Sequence, residues 1–441
     1  MKRGPRHLAE LRETITRSYG GRDISPGEVT YMKRHLNRYA QTIHFLPAQP
    51  GRLLDAGSFP GHTSILAAAR GWSVTGISKI DGMFVTNDFA ERMKENDVAI
   101  LDVDIEREVI PLDDETFDCV FFNEIIEHLP FNPFHALDQV WRVLKPNGLL
   151  VFSVPNLASF DHIWALLRGR SFYPEVTRSL EDAYHADIGQ RHIREYTLEE
   201  CKYLLSHQDK YLYRFNVDRT VMDRSWDGIF YTEHGYERNL RLIKPGTILR
   251  SLVTRISRLY RSNIIILARK PKNYFTLADA IVEEGFFPPE TSGNSASFVR
   301  TPLQSRWMRS TATISLQLPA AITSVNQIDL LIWMPAPASA GTLHVESRIN
   351  GTNCDLLTIS PSVEPIRRVL KPLQPVPCDG EKQTLTIQLR STEWSPKSLG
   401  ISSDDRSMGP MLSLEHIGVT AQQNDRQLSP GSPCLSDEVS S

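Results

Sequence analysis

The stretch Arg52-Leu-Leu-Asp-Ala-Gly-Ser-Phe-Pro-Gly-His-Thr-Ser64 decides how the first half of the chain reads. It opens with apolar residues, turns on Gly57 and Gly61, and runs into Ser64-Ile-Leu-Ala-Ala-Ala-Arg70. That order predicts strand, tight turn, helix. The two glycines let backbone approach a ligand, and the new helix points its free N–H groups at the same spot. The spacing is not the dinucleotide fingerprint, because Phe59 stands where its second glycine should be. Alone, a glycine pair fits an ordinary strand-to-helix turn equally well.

Working outward, Pro26 to Leu46 predicts a helix, since Val29, Met32, Leu36, Tyr39, Ile43 and Leu46 return at helical spacing. The polar, basic residues 1–25 before it read as a flexible lead-in or a lid. Downstream, Trp72 to Ile77, Val98 to Val103, Phe117 to Asn123 and Leu149 to Val154 predict strands. Helices are expected at Asn87 to Asn96 and Pro133 to Leu144, the second closed by Gly148 as a C-cap. The fourth strand is nearly continuous in apolar residues, as a strand covered on both faces should be. Such β-α alternation predicts a parallel sheet with helices on both sides. Ala158 to Ile188 reads as an insertion of helix and aromatic loop. Thr197 and Glu200 form a capping box for a helix from Leu198 to His207. Tyr211 to Val217 and Asn263 to Ala268 complete the strands. Between them, Thr247 to Tyr260 is amphipathic, with Ile248, Leu252, Ile256 and Leu259 on one face and several arginines elsewhere. That helix is expected to pack on the domain with its basic face solvated. Peripheral membrane contact through residues 247–261 is the alternative.

Asp55 before the turn, the order of segments, and the run Arg142-Val-Leu-Lys-Pro-Asn-Gly-Leu-Leu-Val-Phe-Ser-Val-Pro-Asn156 together resemble the class I S-adenosylmethionine-dependent methyltransferases, over residues 26–271. The resemblance implies an α/β, Rossmann-like domain on a mostly parallel seven-stranded sheet, with S-adenosyl-L-methionine as cofactor. It places Asp55, Gly57, Ser58 and Gly61 around the donor, Ser78 and Asp81 near the ribose, Asp104 and Ile105 at the adenine, and Asn123 beyond the fourth strand. The family usually has Asp or Glu where this chain has Ser78, so Asp81 is the stand-in from the loop. The N-terminal helix either presents Tyr31, His35 and Arg38 as a solvated face or lies over the pocket, with Arg38 or Tyr39 meeting the methionine carboxylate.

An acceptor hydroxyl is a poor nucleophile while protonated, so it needs a base or a metal. Asn123-Glu-Ile-Ile-Glu-His128 follows the fourth strand at the carboxyl edge, where α/β sheets bind ligands. If this segment starts a helix, Glu124 shares a face with Glu127 and His128. His192 arrives from a separate loop. His128 and His192 are the candidate bases. Glu-x-x-Glu-His with a later His-x-x-Glu-aromatic-Thr resembles the small-RNA 2′-O-methyltransferases, whose two Glu and two His hold Mg²⁺. That likeness implies a site for Mg²⁺ or Mn²⁺ made of Glu124, Glu127, His128 and His192. The first half of the pattern also occurs in ubiquinone-biosynthesis O-methyltransferases.

After Lys270-Pro-Lys-Asn273 the texture changes. Short runs such as Thr342 to Ile349 and Thr384 to Leu389 alternate apolar and polar between turn residues, which predicts an all-β sandwich or jelly roll over residues 272–421. Residues 422–441 are rich in Ser, Pro and Gln and are expected to be disordered. Trp394 to Gly409 resembles a segment of β-sandwich modules attached to bacterial surface-polysaccharide enzymes, which makes a glycan ligand the expectation. Trp307, Trp333 or Trp394 would stack on sugar if exposed, but buried core tryptophan is the commoner fate; Asp405 and Arg406 read as a turn staple.

At 441 residues and 41% hydrophobic content the chain holds two or three domains with ordinary cores. A net charge of −3 argues against nucleic acid as the partner. Five scattered cysteines without metal spacing suit a reducing cytoplasm. No run is long enough to span a bilayer, and the N-terminus lacks the apolar core of a signal peptide. The expected function is S-adenosylmethionine-dependent O-methylation of a glycan or glycan intermediate. The alternatives are RNA or a small phenol as acceptor, and an inactive methyltransferase fold that binds glycan.

Overall fold

The computed structural model describes residues 5–79, 87–129, 133–172, 192–207, 212–223, 229–232, 235–238, 245–278, 281–288, 290–291, 304–319, 322–362, 365–378 and 383–423. The chain divides into two compact units, the first holding nearly all residues to Pro271 and the second nearly all those from Lys272. Asp81, the aromatic loop after Phe172, Cys434 and the Ser/Pro-rich tail lie outside the described residues.

The first unit is built on strands β1 (Arg52–Ala56), β2 (Ser73–Ser78), β3 (Val98–Asp102), β4 (Phe117–Asn123), β5 (Leu144–Pro155) and β6 (Asn216–Asp223). A separate antiparallel ribbon, β7 (Ile229–Thr232) with β8 (Gly235–Arg238), precedes β9 (Asn263–Arg269). The seven-stranded sheet runs β3-β2-β1-β4-β5-β9-β6. β1 to β5 pair in parallel, while β9 is antiparallel to both neighbours. This is the Rossmann-like mixed sheet the sequence predicts. The order reverses beside β1, so the carboxyl ends of β1 and β4 open onto the crevice where such sheets take ligands. In β4 successive side chains serve opposite layers: Cys119 and Phe121 join one helical layer's core, while Val120 and Phe122 point the other way, all fully buried.

Helices α1 (Pro5–Arg17), α2 (Pro26–His44), α3 (His62–Ala68) and α4 (Asn87–Glu95) contribute to that first core. α1 corrects the expected flexible lead-in. Leu8, Leu11 and Ile15 recur at helical spacing and are buried against α2 residues such as Leu36. Ser25 caps α2 with Glu28 in a capping box. α5 (Pro133–Val143) buries Leu137, Val140 and Trp141. Its end also differs from expectation. The chain enters β5 at Leu144, and the left-handed residue is Asn147 (φ 61°) rather than Gly148. α6 (Phe160–Leu167) is capped by Ser159, and α7 (Leu198–Lys202) carries the Thr197/Glu200 capping box. Beyond Lys202 the backbone widens into a π-turn through His207. α8 (Pro245–Ile256) is followed by a 3₁₀ turn, Arg258–Tyr260.

The second unit is an all-β region with the antiparallel path β16-β15-β20-β13-β21-β14-β18. Its strands are β10 (Tyr274–Ala278), β11 (Ile281–Phe286), β12 (Glu290–Thr291), β13 (Gln304–Leu318), β14 (Ile322–Trp333), β15 (Leu343–Ile349), β16 (Thr352–Asn353), β17 (Leu357–Ile359), β18 (Ile366–Leu370), β19 (Val376–Pro377), β20 (Gln383–Ser391) and β21 (Met411–Gln423). β15 alternates buried Leu343, Val345, Ser347 and Ile349 with exposed neighbours, the period-two pattern of a half-buried strand. The long β13 pairs with β11 and β12 and also joins two larger groups of strands: Thr311 to Leu318 lie against β20, and Ser305 to Trp307 against β21. One continuous core takes Ile314, Leu316, Leu385 and Ile387 together with Ile328, Leu330, Ile417 and Val419. Trp307 and Trp333 are buried with Met408 and Met411, and Trp394 packs against them, so the first two are not sugar platforms. Arg406 forks onto Asp404 and lies over Phe287, whereas Asp405 lies 4.0 Å from Lys397.

Candidate active site

Asp55, the last residue but one of β1, is buried beneath the turn. Thr63 Oγ1 and Ser64 Oγ both donate to its Oδ2, at 2.8 and 2.6 Å. Burial pushes the carboxyl up to about 6, and the two hydroxyls hold it lower than burial alone would. Asp55 thus ties the strand end to the first turn of α3. Gly57 (φ 72°) and Gly61 (φ 87°) take left-handed conformations that only glycine adopts cheaply. A Cβ on Gly57 would overlap Ile125, and one on Gly61 would overlap Met93. The glycines therefore let other elements close on the loop, a packing role the sequence alone does not reveal.

Ser78 ends β2 buried, with its hydroxyl 3.2 Å from Ser58 Oγ and accepting from the Phe59 N–H at 3.2 Å. Ser78, where the resemblance leads one to expect an acid, thus offers a hydroxyl that holds the glycine turn. At the end of β3, Asp104 accepts from Glu106 N–H and lies 3.6 Å from Lys79, while Ile105 is buried.

β4 delivers the next group. Both amide atoms of Asn123 are buried and have no hydrogen-bond partner among the described residues. Glu124 then takes φ 55°, so the helix that would align it with Glu127 does not begin there. It faces the other way, accepting from Arg38 Nη1 and from Ser153 Oγ, each at 2.9 Å. Glu124 and Arg38 are thus paired with each other. Tyr39 is buried too, its hydroxyl 3.2 Å from His62 Nδ1. Tyr19 Oη stands 3.1 Å from the other ring nitrogen. Burial, reinforced by Arg92 and Arg38, lowers His62 to about 3, so it sits neutral between two phenols. His62 directly follows Gly61, yet nothing in its spacing announces the phenols, which come from distant segments.

The 3₁₀ turn Ile126–His128 places Glu127 at zero exposure. Neither of its carboxylate oxygens has a hydrogen-bond partner among the described residues. Burial, aggravated by Glu124, pushes its carboxyl well above the ordinary range. His128 Nε2 lies 3.8 Å from Glu127 Oε1, and the His128 and His192 rings meet edge to face with centroids 5.0 Å apart. Glu127, His128 and His192 each bring a ligand atom within 4.8 Å of the others. The strand-end turn and the loop before α7 are stitched together, since Glu127 O accepts from Ile193 N–H at 2.7 Å. Three of the four expected groups therefore converge, and Glu124 does not join them.

Sequence reasoning missed Glu195 and His162. Glu195 is buried, with His192 Nδ1 3.0 Å from Oε1 and His162 Nδ1 3.2 Å from Oε2. A carboxylate can only accept, so in the tautomer that donates from Nδ1 to Glu195, His192 keeps Nε2 as an acceptor. The three-residue spacing from His192 to Glu195 was visible; the contribution of His162 from α6 was not.

No helix among the described residues is long and apolar enough to cross a membrane. Cys119, Cys201, Cys354 and Cys378 are free thiols.

The chain is 31% identical over 145 residues to a ubiquinone biosynthesis O-methyltransferase of Alkalilimnicola ehrlichii, an overlap of 33% of this chain and 54% of that protein. It is 27% identical over 197 residues to a malonyl-[acyl-carrier protein] O-methyltransferase of Yersinia pestis, covering 43% of this chain and 65% of the relative. The chain thus spans between half and two thirds of the length of these two relatives. Among solved structures, a putative methyltransferase in complex with the Haloferax volcanii Trm112 activator is similar at 17% identity and a TM-score of 0.37, over 56% of this chain and 95% of that one. Geranyl diphosphate C-methyltransferase from Streptomyces coelicolor is similar at 16% identity and 0.35, over 57% and 87%. At such scores neither structure bears on function. What the sequence carries is specific to one region: residues 31–209, which supply nearly every group described above, match the family described as a methyltransferase domain.

Proposed function

We propose that the first unit is an S-adenosylmethionine-dependent methyltransferase that transfers to a hydroxyl of a glycan or glycan intermediate. The observation that carries the reading is the meeting of His128 and His192 beside buried Glu127 at the carboxyl end of β4, next to the Asp55–Ser64 turn. Asp55, Ser58 and the turn glycines would hold the donor, with Asn123 offering its unpaired amide; Ser78 and Asp104 would flank the ribose and adenine, with Asp81 and Ile105 beside them. The acceptor oxygen attacks the sulfonium methyl in line. Its O–H proton passes to an imidazole, the new C–O bond forms, and the C–S electrons return to sulfur as a neutral thioether. His192 is the better base, because Glu195 fixes its tautomer and stabilises the imidazolium that forms. General-base assistance of this kind contributes roughly 10²–10⁴-fold.

A second reading adds a divalent ion. Glu127, with two buried oxygens lacking hydrogen bonds, together with His128 and His192, is a donor set that fits Mg²⁺ or Mn²⁺. Bound there, the ion would supply Lewis acidity toward an acceptor hydroxyl. Glu124, already paired with Arg38, is not required for it.

The glycan assignment rests on the attached all-β unit and on the likeness of Trp394 to Gly409 to modules of surface-polysaccharide enzymes. Calorimetry with S-adenosylmethionine, followed by mass spectrometry of glycans from cells with and without the gene, tests both halves. A methyl difference of one CH₂ mass on the glycan is expected. Donor binding with no transfer to any acceptor would favour the inactive glycan-binding alternative; a methylated phenol or RNA would replace the acceptor.

A further inference from the structure

α8 presents its apolar side outward, contrary to the packing expected of it. Leu252 is 54% exposed, Ile256 77% and Leu259, in the following 3₁₀ turn, 56%, whereas Thr254 is buried. The helix is seated by polar groups. Arg250 pairs with Asp161 of α6 at 2.8 Å, and Arg261 donates to the carbonyls of Thr254 and Met222. With 3.6 residues per turn, Leu249, Leu252 and Ile256 share one arc, and Arg250 and Thr254 fall on the far side. Neighbouring α6 adds exposed Leu166 and Leu167 at its end. Residues 245–262 contain four arginines and no acid, and of the arginines Arg255 and Arg258 are exposed beside the stripe.

We propose that α8, its 3₁₀ turn and the end of α6 form a docking surface for an anionic lipid bilayer. Leu252, Ile256 and Leu259 would enter the boundary between headgroups and acyl chains. Arg255 and Arg258 would meet lipid phosphates, and half-exposed Tyr260 would lie at headgroup level. The charge pattern selects this occupant: within residues 245–262 the row of branched aliphatics carries cations and no acid, and the one acid beside it, Asp161, is paired with Arg250, which complements a surface that is apolar within and anionic at its rim. A single outward stripe with no facing groove suits a bilayer better than a folded partner, which would have to supply both a groove and matching acids. The surface is independent of the reaction proposed above.

The full chain is mixed with sedimentable vesicles of phosphatidylcholine, with or without phosphatidylglycerol, and the pelleted fraction is measured without donor or acceptor. Partition onto the anionic vesicles alone, weakening with salt, is expected. Leu252→Ser/Ile256→Ser and Arg255→Ser/Arg258→Ser should each lower it at least tenfold, with thermal melting unchanged. Equal binding by both double variants, or no partition at low salt, would overturn the proposal. A concentration-dependent dimer in sedimentation velocity, dissolved by Leu252→Ser/Ile256→Ser, would overturn it as well and give the stripe to a second copy.

Discussion

The turn from Asp55 to Ser64 and the mouth at Asn123 to His128 stand at neighbouring strand ends, yet they are built on opposite plans. In the turn, the polar groups are answered from within: Asp55 by Thr63 and Ser64, the Ser58 N–H by the Ile77 carbonyl, Phe59 N–H by Ser78. At the mouth, the Asn123 amide and the Glu127 carboxyl group are buried without hydrogen bonds among the described residues, and a non-glycine residue holds a left-handed backbone. Unanswered buried polar groups cost about 1–3 kcal/mol each, so the mouth is held against local stability by its surroundings. On the function proposed above, the contrast separates a part that keeps its shape from one whose groups stay available for chemistry.

The substitution with the largest expected effect breaks the contrast by joining the two plans. Gly57→Val drives a side chain into Ile125, the residue between Glu124 and Ile126, so damage to the turn is passed to the mouth. Donor binding by calorimetry and methyl transfer should both fall below detection. A variant that still binds donor as the parent does would show the turn and the mouth to be mechanically separate. His192→Asn is the sharper cut within the mouth alone. It should lower kcat by roughly 10²–10⁴-fold with donor affinity unchanged, and an equal loss in donor affinity would move His192 into the donor pocket. Glu195→Gln keeps size but removes the charge that fixes His192; second-shell changes of this kind cost about 10–100-fold. Its loss should appear in kcat and not in KM.

Legibility from sequence divides along the same line. β1 to β5 could be read because their apolar runs and intervening helices are local patterns, and the glycine turn because two glycines and an acid at fixed spacing have few other uses. The direction of Glu124 could not, since it depends on a positive φ and on Arg38 and Ser153, which are distant in sequence. His162 is hidden for the same reason: an i,i+3 pair such as His192 and Glu195 can be seen in a row of letters, but a third member from α6 cannot. For α8 the hydrophobic period gave the stripe correctly and its facing wrongly, because periodicity is blind to which side an ion pair such as Arg250–Asp161 anchors. The lead-in failed because its basic composition masked Leu8, Leu11 and Ile15.

The smallest effect sharpens the comparison on the satisfied side. Asp55 has a folded-state pKa of about 6, above the ordinary carboxylate range, so the folded chain binds a proton that the unfolded chain has already lost. Its contribution is therefore fully present at low pH and is lost as pH rises from about 4 through 6. Above that window the buried charge costs about 3 kcal/mol. Asp55→Asn should recover up to that amount at pH 7.5 in urea unfolding without donor, and the gain should shrink toward zero near pH 4. His62, lowered to about 3, works in the opposite direction, favouring the fold above its unfolded value and losing that support as pH falls toward 3. The difference between variant and parent cancels it. A gain that did not vary with pH would mean Asp55 is ionised at no cost.

The long strand β13 gives the second unit a property of its own. Thr311 to Leu318 are bonded into one group of strands and Ser305 to Trp307 into the other, so a single strand couples the two. Amide exchange there should have one slow, shared opening rather than two separable ones, and pulling on either layer should unfold both in a single event.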